Sequence, residues 1–493
     1  MPPAMGYVQH AAARQTCLPP VNSREGAMTT PATQALADYL VNACFENLPP
    51  DVVEKAKLCL MDSVGCFFGG HQTPVASGLE RLSAGIVGVS SSVPCPDPDP
   101  VWQAFHYATL ANALDLDDIY WKGHPGATVI AAALAIGNQS RSTGRDLIVA
   151  IVAGYEVGCR IGMSLLHNTP RKTVHGHGTW QIFGAAAAAA KLLKLSHKQA
   201  AHALAIAAVN APVASVMKTV YGDTPTMAKN NFATAAMGGV NAAFLARAGF
   251  EGPLDVFEGE TGFWRMAGAD GVDLSRLKIG PDMRYEIRDV GFKEFSCCRI
   301  IQSSVEAAVE AFALGAVEGT GHDVIEIEVF APEIVCRAPF NDPEPRDMWA
   351  AQFSAPFAIA MGVLGHAAGP EWFAPSRFLD QTVRDLTAKI RLSPLRSTDR
   401  SRQHHGAKVR LHLLDGHVVE ATVEVAKGDA ANPLAPSFLE EKFLRLSAAR
   451  LHGTRRQQIL QFLKQLELKD DLRFLLDTIR KPGGAPQSGE RPM

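Results

Sequence analysis

Apolar residues recur at helical spacing through the first half of the chain. One helix face repeats at steps of three and four residues and consists of Val53, Ala56, Leu60, Val64 and Phe67. Ala-rich stretches predict further helices around residues 102–117, 127–137, 145–164, 179–194, 197–211 and 230–248. Several of these stretches are apolar nearly all round, which is typical of helices inside a large bundle.

The pattern changes to strand-like alternation after about residue 285. Over residues 324–330, isoleucine and valine alternate with glutamate, as expected of a half-buried strand. A second alternating run at 409–413 is followed by Asp415-Gly416, a dipeptide typical of tight hairpin turns, and by a returning strand at 419–425. A short strand is also predicted near Ile390. Helices that accompany these strands are predicted at 301–316 and 349–364.

These elements predict a mainly α protein with two domains. The larger is an all-α helical domain over residues 31–285, continued by residues 435–480. The smaller is an α+β lid domain over residues 286–434 with an antiparallel sheet. Residues 1–30 and 481–493 are predicted to be a disordered leader and a disordered tail.

The charge balance excludes one broad class of partner. The 493 residues include 47 Lys and Arg against 50 Asp and Glu, which gives a formal net charge of -3. Nucleic-acid binding requires a clustered excess of basic residues, so no nucleic-acid partner is expected. The 9 cysteines follow no framework spacing, which favours a reducing compartment over a secreted disulfide scaffold.

No membrane span is expected from the sequence. Residues 200–217 come closest to one, but polar residues and Pro212 interrupt the apolar run, which indicates a buried helix. A cytoplasmic location is therefore predicted. Arg14 and Arg24 lie in a leader with few acidic residues, and they keep mitochondrial import as the alternative.

Three aspartates crowd into residues 115–118, at the end of an apolar stretch. Like charges raise one another's pKa, and burial adds a desolvation cost, so such a cluster is either a solvated helix end or a functional site. At helical spacing Asp115 and Asp118 share a face, while Asp117 points elsewhere. His124 follows in a Gly-His-Pro loop, where one of these carboxylates can hold it as an acid or base.

A second cluster begins at His175, in the sequence His-Gly-His-Gly-Thr-Trp. A histidine in a Gly-rich turn at a helix N-terminus lies beside unsatisfied N–H groups, which favour bound anions such as carboxylate substrates. A helix-capping loop with solvated histidines is one alternative. A metal pair of His175 with His177 is the other, but it has no clear third ligand, so no metal is predicted.

Two lysines and a cysteine pair complete the set of candidates. Lys229 and Lys293 lie among apolar residues, where lysine is usually a snorkelling surface residue but binds carboxylates when it is desolvated in a cleft. Cys297 and Cys298 follow Lys293 closely, and such buried cysteines serve packing more often than catalysis. The sequence has no P-loop, no dinucleotide fingerprint and no Gly-x-Ser-x-Gly elbow, which excludes the simplest nucleotide, flavin and serine-hydrolase functions.

Taken in order, these motifs resemble the MmgE/PrpD family over about residues 34–446. The likeness is specific because of the joint order of its motifs. They lie at 113–118 with 123–125, at His175 with the alanine-rich helix after Gly184, at 242–246, 249–253, 257–259 with Gly262-Phe263, at Lys293 with Cys297-Cys298, at 351–354, and at 427–429 with Asn432-Pro433.

The resemblance implies a helical domain with an α+β lid, a homodimer, and cofactor-independent chemistry in the cleft between the domains. Family catalytic positions match Asp115, His124, His175 and Lys293. The family's other active-site lysine has its nearest counterpart in Lys229, with Lys218 as the alternative, and Cys298 is assigned to substrate binding with the two lysines. Cys298 stands where the decarboxylase of animals has a histidine, and no tyrosine lies near Val335-Cys336, where that enzyme has one.

Family activities include 2-methylcitrate dehydration, cis-aconitate decarboxylation and iminodisuccinate epimerisation. The candidate residues suit such substrates, because lysines bind carboxylates and a histidine can remove a proton α to a carboxylate. The first hypothesis is therefore a lyase that dehydrates a 2-methylcitrate- or alkylcitrate-type acid. Decarboxylation of the cis-aconitate type is the second hypothesis, and epimerisation is the third.

Two alternatives come from outside this family. The Asp-Leu-Asp-Asp sequence at 115–118 fits the proton donor of class II terpene cyclases, which are also helical. Those enzymes line an apolar cavity with many aromatic side chains to stabilise carbocations, and the aromatic content of 7% disfavours them. A noncatalytic helical scaffold is the other alternative.

Overall fold

A computed structural model of the chain describes residues 30–87, 99–121, 123–137, 140–166, 174–175, 177–212, 215–216, 231–280, 284–395 and 405–480. The predicted tail and the predicted leader, apart from Thr30, lie outside these residues, as do Lys218 and Lys229. For His175 and His177 the main chain alone is described.

Helices form most of the first part of the chain. They are α1 (Ala32–Asn42), α2 (Pro50–Gly70), α3 (Pro74–Val87), α4 (Pro100–Ala111), α5 (Gly126–Gly137), α6 (Gly144–Ser164), α7 (His177–Leu192), α8 (His197–Val209), α9 (Phe232–Arg247) and α10 (Phe263–Met266). Short strands join loops between them, with β1 (Leu165–Leu166) antiparallel to β4 (Gly271–Val272) and β2 (Val174–His175) antiparallel to β3 (Ser215–Val216). The predicted fold class, mainly α, is confirmed.

Small residues let α6 and α7 cross closely. A Cβ built on Gly184 of α7 would lie 2.9 Å from the carbonyl oxygen of Gly154 on α6, closer than real Cβ atoms approach backbone. The alanine run at 185–190 continues this contact and is buried throughout. Close packing of this kind holds α7 rigidly in the helical core.

One helix among the described residues is long and apolar enough to cross a membrane. It is α6, and 94% of its most apolar window is buried inside the protein, as in the core helix of a soluble protein. The stretch at 200–217, which the sequence singled out instead, overlaps α8, whose residues 200–208 are buried. The prediction of a buried helix there is confirmed over α8.

A four-stranded sheet follows in the second part of the chain. Its strands are β5 (Val324–Ala331), β6 (Ile390–Pro394), β7 (Ala407–Leu413) and β8 (Val418–Val423), in the order β6-β5-β7-β8. The hairpin between β7 and β8 turns through Asp415 and Gly416, as predicted, and Gly416 has a φ of 86° that favours glycine. The helices beside the sheet are α11 (Gln302–Leu314), α12 (Met348–Ala351), α13 (Ala355–Val363), α14 (Pro375–Phe378) and α15 (Gln381–Lys389).

The sheet is mixed, whereas the sequence predicted an antiparallel one. β5 is antiparallel to β7, but it is parallel to β6 on its other side, with Ile327 opposite Ile390. β6 begins directly after α15, so a helical crossover returns the chain to the same end of the sheet. Strand alternation alone carries no information on which neighbour a strand takes, and this is why the parallel edge was missed.

The last helices return to the helical part of the protein. They are α16 (Pro436–Leu446), α17 (Gly453–Lys464) and α18 (Arg473–Arg480). α16 packs against α2, where a Cβ on Gly65 would lie 3.2 Å from the Cα of Phe443. The buried apolar residues from 439 to 479 belong to the same apolar core as the first helices, except Leu446, which packs into the second core.

A second apolar core lies under the sheet and is joined by a few residues from the helical part. Leu114 and Leu116 pack into it, although the residues before them belong to the first core. The short segment at 113–118 therefore runs along the junction of the two cores. That position brings its polar side chains near residues from both parts of the chain.

Candidate functional site

The aspartates at 115–118 lie in a turn after α4. The sequence predicted a helix to residue 117, but α4 ends at Ala111, and Asp115 has a φ of 50°, in the left-handed region. The prediction that Asp115 and Asp118 share a helix face, with Asp117 pointing elsewhere, is therefore wrong. In this turn Asp115 and Asp117 both face His124, Asp118 has other partners, and all three aspartates are buried.

Main-chain hydrogen bonds of the residues just before Lys293 position this lysine beside the turn. Ile119 and Gly291 exchange hydrogen bonds in both directions, at 2.9 and 2.8 Å. The next residue, Phe292, donates its N–H to the carbonyl of Gly428 at 2.7 Å, and Gly428 has a φ of 89°. A Cβ on Gly428 would overlap the carbonyl of Phe292, so glycine is required at this crossing. Three distant segments thus form one frame beside the turn.

Lys293 is paired with Asp115 inside the protein. Its ammonium donates to the side chain of Asp115 at 2.9 Å and to the main-chain carbonyl of the same residue at 2.8 Å. Burial by itself lowers the pKa of Lys293, but the negative charges of Asp115 and Asp117 outweigh burial and raise that pKa above its usual value. The lysine is thus held as a buried cation rather than as the exposed, snorkelling side chain that is usual for this residue type.

The imidazole of His124 lies between two of the aspartates. Its Nδ1 is 3.2 Å from Oδ1 of Asp117, and its Nε2 is 3.7 Å from Oδ1 of Asp115. Asn112 donates to the same Asp117 oxygen at 2.9 Å, and the ring of Phe232 packs 5.4 Å from the imidazole. The two ring nitrogens therefore face different carboxylates, and among the described residues Nδ1 lies within ion-pair distance of Asp117 without a hydrogen bond to it.

Asp117 was not chosen as a site residue from the sequence. Helical spacing placed it away from Asp115, whereas the turn brings both to the same imidazole. The signal that could have identified Asp117 was the crowding of three carboxylates itself, because each of them needs its own partner when buried.

Asp118 has a different environment from its neighbours. It accepts hydrogen bonds from the N–H of Gly126, at the start of α5, at 2.9 Å and from the hydroxyl of Tyr155 at 2.6 Å. Burial, followed by the charge of Asp117, raises the pKa of Asp118 to about 8. This carboxyl group links the turn to α5 and α6.

A second buried lysine supports the site from α16. Lys442 donates to Asp62 of α2 at 2.6 Å, to the carbonyl of Leu116 at 2.6 Å and to the carbonyl of Lys293 at 3.1 Å. These bonds use all three protons of the ammonium. Burial raises the pKa of Asp62, and the charge of Lys442 opposes that change. This role could not be predicted from the sequence, because Lys442 lies in a run of charged residues on an amphipathic helix.

The two cysteines that follow Lys293 have different environments, since Cys297 lies in the core and Cys298 lies near the site. Cys297 is fully buried, and burial raises the pKa of its thiol, so it is a packing residue as the usual interpretation holds. Cys298 is half-buried, and its main-chain N–H donates to the carbonyl of Gln352 at 2.8 Å. A thiolate at Cys298 would raise the pKa of Lys293, which places this side chain in the electrostatic neighbourhood of the lysine.

The structure brings together Asp115, His124 and Lys293 of the residues chosen from the sequence, with Cys298 beside them. His175 lies in β2, opposite Ser215 of β3, two residues before α7 begins. The position of its side chain stays a prediction. Lys229 and its alternative Lys218 lie outside the described residues, so their assignment to the substrate also stays a prediction.

A metal ligand set can be drawn from the same cluster. Asp115, Asp117 and His124 each offer one ligand atom, all within 4.8 Å of one another, which is a donor set that divalent cations accept. The ammonium of Lys293, 2.9 Å from Asp115, already supplies a positive charge at this carboxylate and would repel a divalent ion. The donor set therefore suits proton transfer beside a fixed cation better than metal binding.

A narrow crevice borders Lys293 on the side of the sheet. Arg299 and Lys427 lie on its walls. Each of these cations has a carboxylate partner, since Arg299 donates to Asp429 at 3.0 Å and Lys427 lies 3.2 Å from Glu306. Arg299 also donates to the carbonyl of Trp121. These contacts join the sheet domain to the loop that leads to His124.

Comparisons with known proteins match most of the chain to one family. The model of the MmgE/PrpD N-terminal domain matches residues 34–273, and that of the MmgE/PrpD C-terminal domain matches residues 295–468. Among curated relatives, the cis-aconitate decarboxylase of Homo sapiens is 27% identical over 477 residues, which cover 91% of this chain and 95% of that protein. The cis-aconitate decarboxylase of Aspergillus terreus is 22% identical, with 92% and 97% covered, and that of Mus musculus is 24% identical, with 92% and 94% covered.

Proposed function

The chain belongs to the MmgE/PrpD family and is a lyase, and on this basis we propose that it decarboxylates cis-aconitate or a closely similar unsaturated tricarboxylate. The buried cluster of Lys293, Asp115 and His124 supports a lyase that acts on a polycarboxylate, because a fixed cation lies beside an imidazole that is flanked by two carboxylates. The names of the relatives favour cis-aconitate as the substrate. Membership of this family also overturns the alternatives of a terpene cyclase and of a noncatalytic scaffold.

The cation of the cluster supports binding of a polycarboxylate. An ammonium group has three protons, and among the described residues the acceptors of Lys293 are two oxygens of Asp115. The third proton can therefore be donated to a substrate carboxylate. A charge-assisted bond to a buried ammonium is stronger than one formed at the surface, because little water competes for it.

The reaction needs one bond broken and one proton delivered. The bond between a carboxylate carbon and its neighbour breaks, and CO2 leaves. The electron pair forms a new carbon–carbon double bond as the existing double bond shifts, and the far carbon of the old double bond takes up a proton. In the proposed mechanism, His124 delivers this proton from Nε2, on the side of Asp115, while Nδ1 faces Asp117 at 3.2 Å.

Dehydration of a 2-methylcitrate-type acid is the second candidate, and a specific observation favours it. Cys298 lies near Lys293, and the sequence resemblance places it where the decarboxylase of animals has a histidine, so the chain departs there from the decarboxylase pattern. In dehydration, His124 would remove a proton α to a carboxylate, and a second acid would protonate the departing hydroxide to water. The same cluster can serve both reactions, and the names of the relatives favour the first.

The two reactions are separated by incubating the purified protein with cis-aconitate, citrate and 2-methylcitrate and following each mixture by proton NMR. The proposal predicts loss of cis-aconitate with formation of an unsaturated dicarboxylate. Formation of a new alkene from 2-methylcitrate, without loss of carbon, would instead establish the dehydratase. Retention of all three substrates would overturn both candidates and leave epimerisation of an amino-dicarboxylate to be tested.

A cytoplasmic homodimer without a resident cofactor completes the proposal. The oligomeric state is tested by light scattering after gel filtration, which should give about twice the chain mass of 52.8 kDa. A mass equal to that of one chain would contradict the dimer.

A further inference from the structure

A buried glutamine binds both main-chain groups of His124. Gln181 lies on α7 and is 1% exposed. Its Oε1 accepts the N–H of His124 at 2.8 Å, and its Nε2 donates to the carbonyl of His124, also at 2.8 Å. One planar amide thus fixes the position and the direction of the peptide that carries the imidazole.

The close approach of Gln181 depends on the residue before the histidine. A Cβ on Gly123 would overlap Oε1 of Gln181 and the ring of Trp180. The carbonyl of His124 also accepts the N–H of Ala127 at 3.2 Å, so the donor of Gln181 is not required merely to satisfy that oxygen. Satisfying the main-chain groups of His124 would by itself require neither a glycine at position 123 nor a buried glutamine at position 181.

We propose that Gln181 is a positioning residue. It fixes the position of the His124 imidazole relative to Lys293 and to the start of α7. This role rests on the proposed function, because the placement of the ring affects turnover only if His124 moves a proton. α7 begins two residues after His175, so the same amide also fixes the turn of His124 relative to the helix that follows His175. A displacement of about 1 Å at such a group costs about 100-fold in rate.

The same device recurs on the segment of Lys293. Gln302 accepts the N–H of Phe295 at 3.1 Å and donates to the carbonyl of Phe295 at 2.9 Å. Gln352 donates to the carbonyl of Ala113 at 2.8 Å, two residues before Asp115. Side-chain amides from α7, from α11 and from the residue after α12 therefore bind the three segments that carry the candidate catalytic groups.

Two substitutions separate positioning from packing. Gln181→Met keeps the volume and removes both hydrogen bonds. Gln181→Glu supplies acceptors only when the introduced carboxyl is ionised, but it supplies one donor and one acceptor when protonated, as the amide does. Gln103→Met is the matched control, because Gln103 is a buried glutamine of α4, 6% exposed. The measurements are kcat and KM over a range of pH, and hydrogen exchange by mass spectrometry in peptides that contain His124.

The expected results follow from loss of the two hydrogen bonds between Gln181 and the main chain of His124. Gln181→Met lowers kcat about 100-fold and changes KM by less than about threefold, while the melting temperature falls no further than in Gln103→Met. Amide exchange rises in the peptides that contain His124 and not in peptides from the rest of α7. Gln181→Glu regains activity relative to wild type as the pH falls, whereas Gln181→Met does not.

The inference is overturned if exchange at His124 and kcat are both unchanged in Gln181→Met. It is also overturned if activity is lost only in proportion to the unfolded fraction, or if both variants have the same pH profile. Failure of the proposed function gives a different result, since the wild-type protein would then lack turnover. The exchange measurement requires no substrate and would still decide whether Gln181 holds His124.

Discussion

The ammonium nitrogen of Lys293 lies 2.9 Å from Oδ1 of Asp115, although 178 positions separate the two residues in the sequence. Both side chains are almost fully buried, so this ion pair forms in a region of low dielectric. An ion pair of this kind is costly to assemble and is maintained only by precise partners. The partners here are the turn after α4, the frame around Gly291 and the ammonium of Lys442.

The first prediction concerns His124. We expect His124→Gln to lower kcat by about 100-fold or more, because the proton-transferring group is removed, while the melting temperature changes little. His202→Gln is the matched control, since His202 has a similar exposure of 7% against 8% for His124. Steady-state kinetics and thermal unfolding of both variants check this. A large fall in melting temperature, with activity retained per folded molecule, would show that His124 is structural.

The second prediction concerns the buried ion pair. Lys293→Met leaves Asp115 buried without its cation, and it should lower the free energy of unfolding by about 3–5 kcal/mol and raise KM for a polycarboxylate. The double variant Lys293→Met/Asp115→Asn should recover much of the stability but none of the activity, because the cation is still missing. Urea unfolding and kinetics of the single and double variants measure this.

A control for that experiment is Lys57→Met. Lys57 is also buried, and its ammonium lies 3.1 Å from Glu467. Neither Lys57 nor Glu467 belongs to the cluster of Asp115, His124 and Lys293. We expect this substitution to cost stability and to leave KM unchanged. If Lys293→Met likewise leaves KM unchanged, the substrate does not bind this ammonium.

The third prediction concerns the pH dependence of stability. The pKa of Asp118 is about 8 in the folded protein, against about 4 in the unfolded chain, so the folded state holds the proton more tightly. Stabilisation from this group is complete below about pH 4 and is lost as the pH rises towards 8, with a slope of at most about 1.4 kcal/mol per pH unit. Asp118→Asn should flatten this part of the profile.

Urea unfolding at several pH values between 5 and 8 tests that prediction. Glu156, whose pKa burial raises to about 7, contributes a similar loss in both proteins and therefore cancels in the comparison. Parallel profiles for wild type and Asp118→Asn would mean that Asp118 is ionised in the folded protein across this range.

The fourth prediction concerns metal removal. Because Lys293 already provides a positive charge at Asp115, we expect prolonged chelation to leave turnover unchanged and elemental analysis to find no stoichiometric metal. Loss of activity on chelation, with recovery on addition of one divalent ion, would assign Asp115, Asp117 and His124 to a metal instead.

The sequence indicated the helical fold and several of the grouped side chains, but not the way in which they are grouped. The order of the motifs that resemble the MmgE/PrpD family was enough to select Asp115, His124 and Lys293, which the structure brings together. The helical face assigned to the aspartates was wrong, because the φ of 50° at Asp115 depends on tertiary partners that periodicity does not contain.

The contacts that support the site were the least predictable part. Lys442 and Gln181 look like ordinary residues of their helices, and their roles arise from chain segments that are far away in sequence. The parallel pairing of β5 with β6 was missed for the same reason. Local pattern predicts an element, whereas its partner is decided by the packing of the whole chain.

The most direct test follows the reaction of cis-aconitate in D2O with the wild-type protein and with His124→Gln. CO2 release and deuterium incorporation into the product are measured together by mass spectrometry. The account predicts one CO2 and one carbon-bound deuterium for each product molecule with wild type, and at least about a 100-fold slower reaction with the folded variant. Equal rates for the two proteins, or consumption of the substrate without release of CO2, would contradict it.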